Sequence, residues 1–383
     1  MPLPPLSEAE DARRKEVADR LNDGGYGWKA EAARQLGLPV TTFKAWLEKQ
    51  ARKGDAPGHT VAGTAPGFSL KYLKVHRDAD GLVKQTWECQ TPDAQDLLQA
   101  RQDALQALRA EVPRAVPVAA PALFNADLCN LFTFTDFHLG MLAWHKEGGQ
   151  DWDLKIAETV LRGAMAAMVR QSPRAHTAVV NVQGDFLHCD GLTPVTPGHG
   201  HVLDADSRFP KVRQSAIRLI RELVTMALET HQAVHLILAE GNHDQDSMGW
   251  LADSFTVLYE EEPRVTVNDS ALPFYVVEWG ETMLGVHHGH KVKNEALPLL
   301  FAAQFPAEWG RTRKREIHCG HRHHRDEKEY NGAVVIQHPT LAARDAYAAR
   351  GGWIADRAAQ AITYHKRFGQ VGRVSVCPEM LAA

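Results

Sequence analysis

The sequence predicts an α/β protein: a layered α/β/β/α sandwich, preceded by an N-terminal helical helix-turn-helix-like module and a β-hairpin. Three observations predict it. From about residue 123 onward, short apolar runs of strand type alternate with longer helical periods, the order that βαβ units produce. Further β-prone runs toward the C-terminal end suggest a second sheet packed on the first. Before residue 112 the pattern differs, being helical first and then a pair of strands.

The bulk properties bound the class. At 383 residues the chain has room for two domains, one with a large core. A hydrophobic content of 44% and a charged content of 23% are those of an ordinary soluble globular protein. No run is apolar enough to span a bilayer, and Met1 to Glu10 is proline-rich and acidic without a signal-peptide pattern, so a cytoplasmic location and no membrane partner are expected. Cys89, Cys129, Cys189, Cys319 and Cys377 are odd in number and scattered, which argues for reduced thiols. The net charge of -4 gives no global basic signature, so any contact with nucleic acid has to be local.

Residues 8–53 read as helical. Lys29 to Leu36 is amphipathic, Gly37-Leu38-Pro39 is a turn, and Val40 to Lys49 is a second helix with Phe43, Trp46 and Leu47 on one face. The spacing resembles a helix-turn-helix with Ala32, Ala33, Leu36, Leu38, Val40 and Phe43 as packing positions. Two readings stand side by side: the second helix enters a DNA major groove with Thr41, Thr42 and Lys44, or the module makes protein contacts. Residues 54–67 form a linker rich in Gly, Pro, Ala and Thr. Phe68 to Arg77 and Leu82 to Cys89 flank Asp78-Ala79-Asp80-Gly81 as a hairpin, and Asp93 to Glu111 follows as a helix. These make a segment 68–111, which a Pro/Ala linker at 112–122 separates from a catalytic domain at 123–383.

Beyond the linker, Leu128 to Thr135, Thr177 to Gln183 and Val234 to Leu238 are strands, and Leu154 to Arg170 and Phe209 to His231 are helices. That alternation implies a largely parallel sheet. The runs Phe274 to Trp279, Thr282 to Val286, Ala333 to Gln337, Ala361 to His365 and Val371 to Val376 are expected in the second sheet.

Five short stretches at strand ends or in loops carry the chemistry: Asp136-Phe137-His138, Gly184-Asp185, Gly241-Asn242-His243-Asp244, His288-Gly289-His290 and Gly320-His321-Arg322-His323. Carboxylates, imidazoles and one amide oxygen make a mixed O/N donor set suited to Mn(II), Fe or Zn rather than Ca(II). There are too many donors for one ion. Two ions sharing a carboxylate, about 3.5–4 Å apart, would use them all and would suit phosphoester hydrolysis. Any one of the 20 histidines is by itself an ordinary surface residue; five motifs in order at strand ends are not.

The ordered set resembles the calcineurin-like metallophosphoesterase family over about Leu128 to His323, roughly half the chain. The resemblance implies two divalent metal ions, with Mn(II) preferred, the first held by Asp136, His138, Asp185 and His323 and the second by Asp185, Asn242, His288 and His321. It places His243 beside the phosphate as a proton donor or transition-state stabiliser, with Asp244 orienting it. Asp136-Phe137-His138-Leu139-Gly140 and Gly184-Asp185-Phe186-Leu187-His188 are similar to the branch of SbcD-type and double-strand-break repair nucleases. On that likeness His188 is a second catalytic or phosphate-contacting histidine; its other reading is a partner holding Asp185. His288, rather than its neighbour His287, matches the family's His-Gly pairing.

The run Arg311, Arg313, Lys314, Arg315, Arg322, Arg325 and Lys328 is a candidate phosphate-backbone track, with Arg322 the preferred contact and Arg325 beside it. The insertion from Gly191 to Pro210 is either a lid or a surface loop. The overall organisation resembles phage- and prophage-encoded members. The function implied is hydrolysis of DNA phosphodiester bonds by a metal-activated water, exo- or endonucleolytic. The alternatives are a nucleotide or other small-molecule phosphoesterase and a DNA-binding protein with a vestigial metal site. DNA is the expected partner; a homodimer is compatible with the sequence, and any ATPase partner must be a separate chain, because no GxxxxGK[ST] occurs.

Overall fold

The structure of the chain, a computed structural model, describes residues 7–21, 27–53, 68–77, 83–92 and 114–381. The linker at 54–67, the hairpin turn and the helix expected over Asp93 to Glu111 lie outside the described residues. The chain divides into two compact units, Met1–Ala104 and Leu105–Ala383.

In the first unit α1 (Glu8–Leu21), α2 (Trp28–Gln35) and α3 (Val40–Lys53) share one small core. Ala32 and Ala33 meet Phe43, Trp46 and Leu47, three residues at helical i, i+3, i+4 spacing, and the rings of Phe43 and Trp46 stack at 5.5 Å. Asp11 accepts hydrogen bonds from the Trp46 indole at 2.5 Å and from Gln50 at 2.9 Å, which ties α1 to α3. Two expected packing positions, Leu38 and Val40, lie outside this core. Val40 is 38% exposed, because the first residue of α3 points outward and Trp46, one turn beyond Phe43, fills the core instead. Strands β1 (Phe68–Arg77) and β2 (Val83–Pro92) pair antiparallel, as the hairpin signal required.

In the second unit the order is β3 (Asn125–Phe134), α4 (His145–Gly148), α5 (Leu154–Gln171), β4 (Ala175–Gln183), α6 (Phe209–Leu228), β5 (Ala233–Ala239), α7 (Gln245–Leu258) and β6 (Val265–Val267). Then come β7 (Tyr275–Trp279), β8 (Thr282–Val286), α8 (Leu297–Gln304), α9 (Pro306–Arg311), β9 (Lys314–Cys319), β10 (Asp326–Tyr330), β11 (Ala333–Gln337), α10 (Ala346–Arg350), β12 (Ala359–His365) and β13 (Gly369–Val376). Residues Arg114 to Val118, expected within the linker, hydrogen-bond to this unit: Ala115 N donates to Leu258 O at 2.8 Å and Val118 N to Glu262 at 3.0 Å.

Two sheets stack, one ordered β13-β12-β3-β4-β5-β6 and the other β10-β11-β9-β8-β7. Strands β3 to β6 run parallel, and their alternate residues explain the layers. Phe132, Phe134, Val180, Val182, Leu236 and Leu238 join the core under α5, α6 and α7, while Leu131, Val179 and Ile237 face Leu284, Val286 and Ile336 of the second sheet. The second sheet's other face buries Met283, Ile317 and Val335 against Leu297 and Phe301 of α8. The result is the expected α/β/β/α sandwich. Truncating one of these large core side chains to alanine costs about 3–5 kcal/mol.

The last two strands correct the expected partition. Both belong to the first sheet: β12 runs antiparallel to β3, and β13 pairs beyond it at the edge. Ile362 and Tyr364 thereby fill the inter-sheet core from the first sheet. Their places in the second sheet are taken by β9 and β10, charged segments in which apolar patterning is weak.

Candidate metal centre

The five stretches follow the C-terminal ends of β3, β4, β5, β8 and β9, and stacking of the two sheets brings those ends together. Two groups of donor atoms lie within 4.8 Å of one another: Asp136, His138 and His323 form one, and Asp185, His288 and His321 the other. A third group joins His138 to His188 and His243.

Hydrogen bonds around these donors leave specific lone pairs free. Asp136 Oδ2 accepts from Thr135 Oγ1 at 2.6 Å and from His321 N at 2.8 Å, whereas Oδ1 has no hydrogen bond. Asp185 Oδ1 accepts from His243 N at 2.8 Å. His288 Nδ1 lies 2.9 Å from Gln183 O, and because a carbonyl only accepts, Nδ1 carries the proton. Its Nε2 then presents a lone pair 3.1 Å from Asp185 Oδ2 without the angle of a hydrogen bond. The Asn242 side-chain oxygen is likewise buried and unpartnered. Carboxylate oxygens, imidazole nitrogens and an amide oxygen thus converge in one buried site, a donor set whose burial a bound cation would offset. The donors fit a pair of divalent metals of the borderline, N/O-loving kind.

Backbone conformation marks the same residues. Asp136, His138, Asp185, His321 and His323 have φ of 51°, 49°, 49°, 71° and 58°, and they are the non-glycine residues with positive φ among those described. Each costs of order 1–3 kcal/mol and is tolerated where side-chain placement demands it. Glycine is required at Gly184, with φ of 78° and no room for a Cβ against the His288 ring. At Gly241 the demand is close approach, since a Cβ would collide with Asp185.

The electrostatics express the need for a cation. Burial would raise the carboxyls of Asp136 and Asp185, but the imidazoles of His323 and His288 beside the first and of His288 beside the second hold both below the usual range. Burial disfavours a charged His288, yet Asp185 and Asp136 push its pKa up to about 10. His323 is raised for the same reason by Asp136. In contrast, burial and then His243 hold His138 well below an ordinary histidine, and burial and then His288 lower His321.

His243 is half-buried, with Nδ1 at 2.8 Å from the carbonyl of His188, so that Nδ1 is protonated and Nε2 is the free nitrogen. Its ring stacks on His188 at 5.7 Å and meets His138 edge-on at 4.8 Å. Asp244 was expected to orient this ring and does not. Its carboxylate accepts from the backbone N–H of Gly241 (2.9 Å), Leu187 (3.0 Å) and Asp185 (3.2 Å), so both of its oxygens are engaged by the loops. Burial, and then the charge of Asp185, raise its pKa to about 8. His188 is also placed differently from its second reading: its ring nitrogen lies 3.4 Å from His138 Nδ1, so it braces His138 and not Asp185.

His287 stacks on Phe274 at 4.9 Å and accepts from Gly289 N, which leaves His288 as the histidine in the cluster. Arg322 and Arg325 are exposed beside the last motif. The longer basic track is interrupted: Arg311 pairs with Glu278 at 2.7 Å, and Arg315 packs over Trp309 and donates to its carbonyl. Thr41, Thr42 and Lys44 are exposed on α3 of the other unit. Sequence reasoning missed Thr340, whose hydroxyl donates to Asp136 O at 2.6 Å, and Asp190, which accepts from Asp246 N and Ser247 N at 2.8 Å each and caps α7. A Thr or Asp three or more residues outside a motif carries no local signal for such a role. The 191–210 insertion is anchored by Leu142 N to Asp204 O and Asp206 N to Gly140 O, both 2.9 Å.

The chain matches no known protein family and no curated protein by sequence. Solved structures do resemble it. A predicted phosphoesterase from Streptococcus pneumoniae is 8% identical, covers 67% of this chain and 92% of its own, and has a TM-score of 0.30. Zinc-complexed Vps29 from Entamoeba histolytica is 13% identical over 65% and 98%, with a TM-score of 0.30. An archaeal phosphodiesterase is 12% identical over 64% and 98%, also at 0.30. At such scores these proteins are neighbours and no more, and the functional reading rests on the chain's own topology and donor geometry. Among the described residues no helix is long and apolar enough to cross a membrane.

Proposed function

We propose that this chain is a two-metal phosphoesterase that hydrolyses phosphodiester bonds in DNA. The observation that carries the reading is that three independent marks meet in one site: clustered donors on Asp136, His138, His323, Asp185, His288 and His321, left-handed backbone at all of these but His288, and unpartnered buried atoms on Asp136, His288 and Asn242. Asp136, His138 and His323 would hold one cation, Asn242, His288 and His321 the other, and Asp185 would be the ligand they share. When bound, the cations supply Lewis-acid polarisation of a phosphate and acidify water enough for attack near neutral pH.

The remaining work falls to the chain. The carbonyl of His188 fixes the tautomer of His243, and the two neighbouring rings prevent it from turning, so Nε2 is positioned to carry a proton to the departing oxygen. Gln183 and His188 hold His288 and His138 in orientation, the support that metal-ligating imidazoles need. Arg322 and Arg325, exposed at the last motif, would receive phosphates of the strand. DNA as substrate is supported by the Asp136-Phe137-His138-Leu139-Gly140 and Gly184-to-His188 patterns, with Thr41, Thr42 and Lys44 on α3 as a recruiting surface.

The test is cleavage of end-labelled linear and of circular DNA by purified protein with Mn(II) and with EDTA. Metal-dependent degradation is expected. Hydrolysis of bis(4-nitrophenyl) phosphate without any cleavage of DNA would reassign the chain to small phosphoesters.

A further inference from the structure

Large aromatic side chains are usually at least half covered, and patches of them left in water mark surfaces with partners. Trp144, Tyr347 and Trp353 are 51%, 67% and 58% exposed. They gather on one rim of the second unit. Trp144 opens α4 and Tyr347 lies in the first turn of α10, and these helices touch: the carbonyl of Arg344 leaves no room for a Cβ at Gly148, and Arg350 reaches Glu147 at 3.6 Å. The rings of Tyr347 and Trp353 lie 5.2 Å apart, and Lys146 Nζ sits 5.0 Å over the Trp144 ring.

Both segments grow directly out of the metal centre. Trp144 is six residues beyond His138, and Tyr347 is seven beyond Thr340, whose hydroxyl holds Asp136 O. Even fully extended, such segments reach no further than ~20–25 Å, a span of roughly six stacked nucleotides.

We infer that Trp144, Tyr347 and Trp353 form a stacking platform for unpaired bases of a single DNA strand whose phosphate lies at the metal centre. This rests on the DNA-cleaving reading above. Three features favour bases over an apolar protein partner: the exposed groups are mainly flat rings, the cations Lys146 and Arg344 lie among them while Arg350 pairs with Glu147, and both α4 and the start of α10 are joined to the candidate phosphate site by short segments. Stacking is indifferent to base identity, so the preference is for single strands and not for a sequence.

The experiment measures cleavage of an oligothymidylate of about twelve nucleotides and of a thymidine dinucleotide, which offers the fewest bases to stack, by wild type, Trp144→Ala and Tyr347→Ala/Trp353→Ala. Wild type should show a KM for the long strand at least about tenfold below that for the dinucleotide, and each variant should lose most of that gap through KM with kcat for the long strand kept. Trp144→Phe and Tyr347→Phe should restore it, since either ring still stacks. A gap that persists in the alanine variants overturns the platform alone. A wild type that cleaves neither oligonucleotide but hydrolyses bis(4-nitrophenyl) phosphate overturns the DNA reading and the platform together. A concentration-dependent dimer that dissociates in the alanine variants, with the gap intact, assigns the rim to a second copy of the chain.

Discussion

The second unit buries two groups of histidines, and they are built on opposite terms. Between the sheets, His318 Nδ1 lies 2.9 Å from His338 Nε2, His338 Nδ1 lies 3.0 Å from the Gln360 side-chain oxygen, and Tyr364 OH reaches both Glu316 and His318 Nε2 at 2.6 and 3.2 Å. Every nitrogen there has a partner. At the metal centre His288 Nε2, Asp136 Oδ1 and Asn242 Oδ1 have none. Burial is the same in both places, with His318 and His288 each at 0% exposure. What separates His318 from His288 is therefore not burial but whether every ring nitrogen has a partner. A satisfied network needs nothing further, and an unsatisfied one requires something brought in from solution.

The largest expected effects come from breaking the unsatisfied group. Asp185→Asn removes the charge of the carboxylate proposed to be shared, and metal content by mass spectrometry should fall to near zero with turnover lower by roughly 10³-fold or more. Adding Mn(II) should raise the Tm of wild type and leave that of this variant unmoved. His243→Ala should keep its metal and lose about 10²- to 10⁴-fold in kcat, because the imidazole acts on the substrate and not on the ions. Equal metal loss in both variants would erase the division of labour between Asp185 and His243.

Breaking the satisfied group should cost stability and spare metal. Burial, and then Arg373, hold the pKa of His338 down at about 3, against about 6.5 when unfolded. The unfolded chain thus takes up a proton that the folded chain refuses, so stability is full above about pH 6.5 and declines as pH falls toward 3. Between pH 7 and pH 5 this one residue removes about 2 kcal/mol. Glu316, raised by burial, works in the opposite sense, so the residue is best isolated by His338→Gln. In EDTA, that variant should be less stable at pH 7 by about 1–3 kcal/mol, from disturbed hydrogen bonds, yet lose less on going to pH 5. Urea unfolding at the two pH values measures both. An unchanged acid slope would mean that His338 is protonated in the folded protein.

The same contrast explains what could be read from the sequence. That the stretches holding Asp136, Asp185, Asn242, His288, His321 and His323 would meet at strand ends was legible from the apolar runs before them, and their residue types marked them as candidate ligands. Parallel strands β3, β4 and β5 were legible from local periodicity. The sheet that β12 and β13 join was not, since pairing with β3 is decided across more than two hundred residues by which edge is open. Nor was the role of Asp244 or His188, because it depends on which donor ends nearest in space. Strand β9, Lys-Arg-Glu-Ile-His-Cys, reads as a charged run until Arg315 is seen folded over Trp309.

Carboxylates near the centre sort by the rule that sorts the histidines, and Asp190 gives the smallest and cleanest test. Both of its oxygens are spent on the backbone N–H of Asp246 and Ser247, the second and third residues of α7. It takes over the capping that Asp244, at the N-cap position, cannot perform while it holds the amides of Gly241, Asp185 and Leu187. Asp190→Ala should therefore cost about 0.5–2 kcal/mol, the ordinary value of a helix cap, and lower Tm by about 2–4 °C per kcal/mol for a unit of this size. Asp190→Asn should recover part of the loss, because one amide oxygen still accepts. Metal content should stay at the wild-type level in both variants, since both Asp190 oxygens are engaged by α7 and the residue belongs to none of the donor groups. If Asp190→Ala instead lost metal as Asp185→Asn does, hydrogen-bond saturation would no longer distinguish scaffold carboxylates from ligands in this site.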